Sequence, residues 1–241
     1  MSVSHFISDL HLEPGRPDIT ARFFALLDRL RGDSEALYIL GDLFEAWIGD
    51  DDAEPLHAEV ASRLREFSGA GARIYFLHGN RDFLLADDYA RRAALTLLPD
   101  PSVVDLYGTP TLLMHGDSLC TQDLAYQRFR AVARRPWVQH AFRALPLTLR
   151  KAVARHLRKA SAHSKEHKPL AIMDVAPEAV AQALRSAGCT RLIHGHTHRP
   201  ARHDAEVDGR ACERWVLPDW DARGGWLSCS ADGCELHFLQ A

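Results

Sequence analysis

Short apolar runs recur along this chain, and each of them ends in a cluster of polar residues and glycine. The pattern appears in SVSHFIS before DLH, ALYIL before GD, RIYFLH before GNRD, TLLMH before GD, and RLIH before GHTH. Runs of this length that are bounded by glycine and rich in branched or aromatic residues are typical of buried strands. The chain is therefore predicted to fold around several short strands whose ends carry polar side chains.

Helical patterns lie between several of these predicted strands. Apolar residues recur three and four positions apart in residues 19–31, 54–67 and 177–187. Pro177 suits the first turn of the last helix, and Gly188 suits its end. After residue 205 the pattern becomes one of hairpins, with WLSC and CELHFL separated by SADG. Strands that alternate with helices and are followed by a run of strands indicate an α/β or α+β layered domain.

Residues 121–168 depart from this alternation and have the pattern of two or three helices, interrupted by Pro136 and Pro146. Within residues 127–168 there are twelve Lys or Arg and one acid, Glu166, so this stretch carries +11 in a chain of net charge −3. Such a charge asymmetry indicates that the segment faces an anionic partner. We interpret it as a helical insertion in a single domain. Basic helices can contact lipid headgroups or nucleic acid, and composition alone does not separate the two.

Composition excludes several classes of protein. The hydrophobic content of 46 % is ordinary for a globular chain, and no apolar run approaches the roughly 20 residues that a membrane-spanning helix needs. The N-terminus, MSVSHFISDLH, has no basic region and is not typical of a signal peptide. An odd number of cysteines without a CxxC pair predicts reduced thiols in a cytoplasm rather than a disulfide framework. They are Cys120, Cys189, Cys212, Cys229 and Cys234.

The polar residues at the predicted strand ends are all of types that bind divalent metals. They are carboxylates, an amide and imidazoles, namely Asp9, His11, Asp42, Asn80, His115, His196 and His198. Loops that leave one edge of a sheet can converge on one point, and one aspartate can bridge two ions. Two ions about 4 Å apart are a known device for the hydrolysis of phosphate esters. Each motif is weak alone, and the ordered set predicts a two-metal site.

This ordered set resembles the calcineurin-like metallophosphoesterase superfamily, and the resemblance covers nearly the whole core. It implies an α+β fold of four layers, αββα, on which the helical insertion forms a cap. It also implies that two metal ions share Asp42. One ion would be held by Asp9, His11, Asp42 and His198, and the other by Asp42, Asn80, His115 and His196.

Most of this superfamily has a histidine after the asparagine of GN, whereas this chain has Arg81 in GNRD. Arginine stays charged near neutral pH and cannot act as a general acid there. Its planar fork can instead hold phosphate oxygens and stabilise developing charge. A substrate for this site should therefore have a leaving group that departs without a proton. A pyrophosphate linkage meets this requirement, because its leaving group is already a phosphate anion. The alternative is that Arg81 pairs with Asp82 or with an acidic surface.

Further motifs make the chain similar to the branch of the superfamily that cleaves UDP-2,3-diacylglucosamine in lipid A biosynthesis. They are SDLHL, GDLFE, GNRDF, HGDSLCTQD, IMDV and IHGHTHRP, together with the basic insertion. This resemblance implies attack at the α phosphorus to give UMP and 2,3-diacylglucosamine 1-phosphate, with two Mn²⁺ ions as cofactors. It implies Asn80, Arg81 and His196 as catalytic residues. The implied substrate contacts are Asn80, Arg81, Asp123, Ser161, Lys165, Lys168 and His196. For the two lysines, a solvated basic face is the alternative.

The same resemblance implies a cytoplasmic enzyme that binds peripherally to the inner face of the inner membrane. Capping helices would shelter the two acyl chains, at about 0.8 kcal/mol per buried methylene, and their arginines would face anionic headgroups. Neither nucleic acid nor an obligate protein partner is implied. The alternatives are a nuclease or cyclic-nucleotide phosphodiesterase of the same superfamily, a single-metal zinc protein, and a scaffold without metals. A nucleic-acid clamp would not need the apolar residues of the insertion, and a scaffold would not need all seven ligands.

Overall fold

A computed structural model describes residues 2–167, 174–221 and 223–239, and for residues 162–167 it describes the backbone alone. The strands are β1 (Ser4–Ile7), β2 (Ala36–Ile39), β3 (Arg73–Leu77), β4 (Leu95–Leu98), β5 (Ser102–Leu106), β6 (Thr109–Met114), β7 (Arg191–His194), β8 (Ala201–Val207), β9 (Arg210–Val216), β10 (Gly225–Ser230) and β11 (Gly233–Phe238). The helices are α1 (Pro17–Leu30), α2 (Pro55–Gly69), α3 (Asp87–Ala93), α4 (Leu124–Ala133), α5 (Pro136–Arg143), α6 (Leu147–His167) and α7 (Pro177–Ala187).

The strands form two sheets. One has six strands in the order β11-β10-β1-β2-β3-β4, and the other has five in the order β5-β6-β7-β9-β8. Neighbours from β1 to β4 are parallel in the first sheet, and β6, β7 and β9 are parallel in the second. Because parallel strands end on the same side, the loops after them emerge at one edge of each sheet.

Three apolar clusters define four layers. Phe23 of α1 and Leu64 of α2 pack on the outer face of the six-stranded sheet. Phe6 of β1 and Leu113 of β6 belong to the cluster between the two sheets. Leu184 of α7 lies in the cluster on the outer face of the five-stranded sheet. The order helix, sheet, sheet, helix confirms the predicted four-layer α+β sandwich.

The three helices expected from apolar periodicity are present as α1, α2 and α7. Each begins with proline in its first turn, where the missing N–H has no intrahelical partner to lose. Gly188 ends α7 with a left-handed φ of 67°, a conformation that glycine adopts without a steric penalty. The hairpin predicted around SADG is formed by β10 and β11.

The prediction of reduced thiols is wrong for two cysteines. Cys229 in β10 and Cys234 in β11 are direct partners across the antiparallel pair, with Cα atoms 4.1 Å apart, and they form a disulfide. The register of the hairpin brings them together, which a search for CxxC spacing does not detect. Cys120, Cys189 and Cys212 are free and buried.

Three helices, α4 to α6, occupy the part of the predicted insertion that the structure describes. Neither α4 nor α5 has a buried residue, whereas Arg150 in α6 is buried with 3 % of its surface exposed. The division of the chain into one domain with an inserted cap stays a prediction. Within the described ranges, no helix combines the length and the apolarity needed to cross a membrane.

Candidate metal centre

The side chains that follow β1 and β2 of one sheet meet those that follow β6 and β7 of the other. Ligand atoms of Asp9, Asp42 and His115 lie within 4.8 Å of one another, and so do those of Asp9, His11 and His198. Oδ2 of Asp42 is 3.8 Å from Nε2 of His11 and 3.7 Å from Nε2 of His115. Asp9 thus belongs to both groups, and Asp42 lies between His11 of one and His115 of the other, as expected for a residue that two ions would share.

The two remaining candidate ligands lie on the far side of this cluster. Oδ1 of Asn80 is 3.1 Å from Nε2 of His115, and the ring centroids of His115 and His196 are 5.1 Å apart. All seven predicted ligands are thus brought to one place, and their roles as ligands stay a prediction.

The backbone is left-handed at five of these residues. The φ angles lie between 51° and 69° at Asp9, His11, Asp42, His196 and His198. Residues other than glycine rarely adopt this region, although Asp and His tolerate it better than most. Conformations of this kind concentrate at functional sites, where the surrounding structure holds them. Here they turn the side chains at the strand ends toward a common centre.

Two glycines let neighbouring loops approach the aspartates closely. A Cβ at Gly79 would lie 2.0 Å from Oδ1 of Asp42, and a Cβ at Gly195 would lie 2.3 Å from Oδ2 of Asp9. The backbone N–H of Arg81 donates to that same Asp42 oxygen at 2.8 Å, and the N–H of His196 donates to Oδ2 of Asp9 at 2.8 Å. One oxygen of each aspartate is therefore fixed by a backbone amide.

The other carboxylate oxygen of Asp9, Oδ1, is buried and has no hydrogen-bond partner among the described residues. A buried carboxylate without a partner is costly, and a cation would satisfy it. Oxygen and imidazole donors in this number suit first-row divalent ions. The residues present therefore fit a metal centre.

The pKa values follow from the same concentration of charge. Burial alone would lower the pKa of His115, but the carboxylates of Asp42 and Asp9 raise it to about 9. Burial, and then the neighbouring charge of His115, lowers the pKa of His196 to about 4. Burial would raise the pKa of Asp9, but the nearby imidazoles, that of His198 first, hold this pKa well below its usual range. The carboxylates thus attract positive charge, which a divalent ion would supply.

Asp82 joins two of the loops that build the site. It is fully buried, and its carboxylate accepts from the N–H groups of Gly79 and Leu43 at 2.9 and 2.7 Å. The charged neighbour of Arg81 is instead Glu45, whose Oε1 lies 3.8 Å from Nη1. Burial, and then the charge of Asp42, raises the pKa of Asp82 to about 6. Asp82 thus holds the backbones of two loops of the site together. The ion pair between Arg81 and Asp82, which the sequence left open as an alternative, is not formed.

A cavity of about 630 Å³ extends from this cluster under the cap. Asn80, Arg81 and His196 line one part of it, and Phe129 and Leu157 of the cap helices line another. Two further predicted substrate contacts, Asp123 and Ser161, also line the cavity. Lys165 has its backbone in α6 without a described side chain, and Lys168 lies outside the described residues.

The first cap helix is attached to a buried carboxylate beside the metal cluster. Asp117 follows the HG of its strand end and has no exposed surface. The hydroxyl of Tyr126 and Nε of Arg130, both in α4, donate to Oδ2 of Asp117. Burial would raise the pKa of Asp117, but His115 and Arg130 hold it far below the usual range. The sequence singles out this aspartate only as part of HGD, without a role.

Two carboxylates that lie near candidate ligand histidines are not among the site residues predicted from the sequence. Oε2 of Glu45 lies 3.0 Å from Nδ1 of His11, and Oδ2 of Asp219 lies 3.9 Å from Nδ1 of His198. Glu45 belongs to the motif GDLFE, so a signal was present in the sequence, whereas Asp219 stands in no motif.

Polar strand ends that converge at one edge of a four-layer sandwich define a metallophosphoesterase, and the family comparison agrees. The family model described as calcineurin-like phosphoesterase matches residues 5–200, and the chain belongs to this family. Membership implies a two-metal centre.

Curated relatives are similar over almost their full length. The chain is 54 % identical over 228 residues to a UDP-2,3-diacylglucosamine hydrolase of Pseudomonas paraeruginosa, covering 95 % of each chain. It is 53 % identical to the hydrolase of the same name from Marinobacter nauticus, covering 93 % of this chain and 92 % of that one. The identity is 51 % for the protein of that name from Cellvibrio japonicus, with coverages of 96 % and 97 %.

Among solved structures, an archaeal phosphodiesterase aligns with a TM-score of 0.50 over 98 % of this chain and 99 % of that one. The identity is 12 %, so this likeness concerns the fold alone.

Proposed function

We propose that this chain is a two-metal pyrophosphohydrolase that cleaves UDP-2,3-diacylglucosamine at the α phosphorus, a step of lipid A biosynthesis. The observation that carries the proposal is the cavity, because it joins the candidate metal ligands to an apolar cap in one continuous space. A substrate with a diphosphate at one end and acyl chains at the other matches both parts. The curated relatives, which carry the name of this hydrolase over nearly the whole chain, support the same substrate.

The reaction forms one bond and breaks another at the α phosphorus. An oxygen from water bonds to that phosphorus, and the bond to the bridging oxygen breaks, so the β phosphate leaves with the sugar. The products are UMP and 2,3-diacylglucosamine 1-phosphate, both as phosphate anions, and the two protons of water are released to solvent. Two divalent ions, which we propose to be Mn²⁺, would activate the water and neutralise phosphoryl oxygens when bound. Their ligands would be Asp9, His11, Asp42, Asn80, His115, His196 and His198, with Asp42 shared.

Three residues of the chain would act on the phosphoryl group itself. Arg81 would hold phosphate oxygens through its planar fork and stabilise the charge that develops on them. Asn80 and His196, which line the same part of the cavity, would donate hydrogen bonds or occupy a metal ligand position. The leaving β phosphate is already an anion, so the permanently charged Arg81 need not supply a proton.

The cap would bind the rest of the substrate. Phe129, Phe142 and Leu157 line the cavity, and burial of acyl methylenes against such side chains contributes about 0.8 kcal/mol each. Asp123 and Ser161 would contact the sugar or the nucleotide. Lys165 and Lys168 are proposed as further contacts from the resemblance alone.

A peripheral association with the anionic inner leaflet, in the cytoplasm, belongs to the same proposal. The cap exposes Trp137 to 66 %, Leu124 to 64 % and Val132 to 49 %, and these side chains stand among the arginines of the +11 segment. Apolar side chains can enter the headgroup region while Lys and Arg contribute about 1 kcal/mol each near an anionic surface.

The experiment is hydrolysis of UDP-2,3-diacylglucosamine in detergent micelles, with and without added Mn²⁺, beside a cyclic nucleotide and single-stranded DNA. We expect metal-dependent release of UMP from the lipid and no cleavage of the other two substrates. In water labelled with ¹⁸O, the label should appear in UMP, because the α phosphorus is attacked. Label in the lipid phosphate would place the attack at the β phosphorus. Cleavage of DNA with the lipid intact would instead support the nuclease alternative.

A further inference from the structure

His11 has two ring nitrogens that face different groups. Nε2 lies 3.8 Å from Oδ2 of Asp42, on the side of the cluster formed with Asp9 and His198. Nδ1 lies 3.0 Å from Oε2 of Glu45. A histidine that binds a metal through one nitrogen typically donates its other N–H to a carboxylate or carbonyl, which fixes the tautomer and the ring orientation.

The second oxygen of Glu45 faces two arginines from different parts of the fold. Oε1 is 3.8 Å from Nη1 of Arg81, in the loop after β3, and 3.9 Å from Nη1 of Arg158, in the cap helix α6. The Glu45 side chain is only 23 % exposed, so these charges interact with limited screening by solvent. The pKa of Glu45 is lowered in spite of its burial, because His11 and Arg81 favour the carboxylate.

Among the described residues, no other candidate ligand histidine has a carboxylate at hydrogen-bonding distance from its ring. Nδ1 of His115 is 2.9 Å from the carbonyl oxygen of Leu40. Nδ1 of His198 faces Asp219 at 3.9 Å, which is too long for a hydrogen bond. Glu45 is therefore the carboxylate that lies within hydrogen-bonding distance of a candidate ligand imidazole on the side away from the metals.

We propose that Glu45 is a positioning residue that orients His11 through one carboxylate oxygen and holds Arg81 toward the cavity through the other. Oε2 and Nδ1 of His11 are 3.0 Å apart, close enough for Oε2 to accept from an Nδ1–H group when the metal is bound. This bond would leave Nε2 unprotonated and directed to the metal position that His11 shares with Asp9 and His198. Oε1 keeps the Arg81 guanidinium near the same position before substrate arrives. The inference rests on the proposed function, because it takes His11 as a metal ligand.

The test measures metal binding without substrate. Mn²⁺ is titrated into the metal-free protein, and the free ion is followed by its EPR signal. In Glu45→Gln we expect one of two Mn²⁺ affinities to fall by about 10–100-fold, as is typical when the partner of a ligand histidine is altered. The second affinity should change little, since the side-chain partners of Glu45 are His11, Arg81 and Arg158 rather than Asn80, His115 or His196. Side-chain ¹⁵N NMR of His11 should show the Nδ1–H tautomer in the unaltered chain and a mixture in the variant.

Glu13→Gln is the matched control. Oε2 of Glu13 lies 3.7 Å from the same Nη1 of Arg158, and its side chain is 40 % exposed. Glu13→Gln therefore removes one negative charge beside Arg158, as Glu45→Gln does, and leaves the carboxylate next to His11 in place. Equal losses of affinity in the two variants would mean that net charge alone acts, and the proposal would be overturned. Unchanged Mn²⁺ binding in Glu45→Gln would overturn it as well.

A second variant separates charge from contact. Glu45→Asp keeps the charge but withdraws the carboxylate by one methylene, so we expect it to bind Mn²⁺ as weakly as Glu45→Gln. Recovery of full affinity in Glu45→Asp would contradict a positioning role.

The melting temperature of each metal-free variant shows whether it is folded. If all variants bind two Mn²⁺ ions as tightly as the unaltered chain does, only the role of Glu45 is contradicted. If the unaltered chain itself binds no Mn²⁺, the proposed function is contradicted too.

Discussion

Nη2 of Arg134, the C-cap residue of the first cap helix α4, donates a hydrogen bond to the carbonyl oxygen of Gly79 at 2.8 Å. Gly79 directly precedes Asn80 and Arg81, so the cap contacts the loop that carries two candidate substrate contacts. The guanidinium also lies over the ring of Phe83, at 5.3 Å from the ring centroid. The side chain of Arg134 therefore connects the cap to the loop after β3.

Arg134→Met should impair catalysis without loss of metal. The loop after β3 would lose its contact with the cap, and a displacement of about 1 Å at a positioning residue can reduce the rate by 10²-fold. We expect kcat/KM for the lipid substrate to fall by about 10–100-fold while the Mn²⁺ content stays unchanged. Arg135→Met removes the same charge from an exposed neighbour and should retain activity. A similar loss in both variants would contradict the connection.

Asp42→Ala should remove nearly all turnover, because the carboxylate between the two groups of ligands is lost. The metal content of the purified variant, measured by elemental analysis, should fall below two ions per chain. Retention of more than about a hundredth of the rate would place the two-metal mechanism in serious doubt.

Arg81→Ala should lower turnover of the diphosphate by roughly 10²–10³-fold, as does the loss of other donors that stabilise developing charge. Arg81→Lys keeps the charge but not the planar fork, and it should recover only part of the rate. The measurement is kcat of the two variants and of the unaltered chain at saturating substrate. Full activity in Arg81→Ala would show that the arginine only pairs with Glu45.

Arg150→Met should destabilise the fold. The guanidinium donates to the carbonyl oxygens of Ile48 and Leu145 at 2.7 and 2.9 Å, and it pairs with Asp51, which is 62 % exposed. Asp51 can be solvated again, so the loss comes mainly from the two carbonyls, at about 1–3 kcal/mol in the free energy of unfolding.

Arg155→Met is the control for this loss. Arg155 is exposed in the same helix, so the change should be within about 0.5 kcal/mol. Urea denaturation of both variants provides the comparison. Limited proteolysis should cut α6 faster in Arg150→Met alone.

His5 should make stability depend on pH. Burial, and then the charge of His237, lowers its pKa from 6.5 to about 4. The unfolded chain therefore takes up a proton near pH 6.5 while the folded chain does not, so stability is complete above that pH and is lost as the pH falls toward 4. The loss is at most about 3 kcal/mol.

His5→Gln should remove this part of the pH dependence in urea denaturation between pH 4 and 8. His140→Gln, at an exposed position of α5, should leave the pH dependence intact. An unchanged acid limb in His5→Gln would show that other buried histidines account for it.

The candidate metal ligands could be predicted because their positions follow from local rules. Each stands directly after an apolar strand, and parallel strands end at the same edge. Glu45 and Asp82 could not be assigned in this way, since their roles depend on contacts between the loop after β2 and other loops. For Asp82, the sequence offered only an ion pair with Arg81, whereas the buried carboxylate joins the backbones of Gly79 and Leu43.

The cysteine error has a similar origin. Cys229 and Cys234 flank the SADG turn that the sequence did predict, and the register of that hairpin makes them partners. The count and the spacing of cysteines contain no information on register. In the same way, the amphipathic pattern predicts that the insertion is helical, but not that Arg134 and Arg150 turn inward to backbone carbonyls while their neighbour Arg135 stays exposed.

The left-handed backbone at five candidate ligands opposes folding. Each such residue other than glycine costs about 1–2 kcal/mol, more than the 0.5–1 kcal/mol that glycine would lose through its greater freedom in the unfolded chain. Under a demand for stability alone, glycine would therefore replace these residues, and the site would be lost. In a gene released from the need for turnover, these five codons are where the first stabilising substitutions would appear.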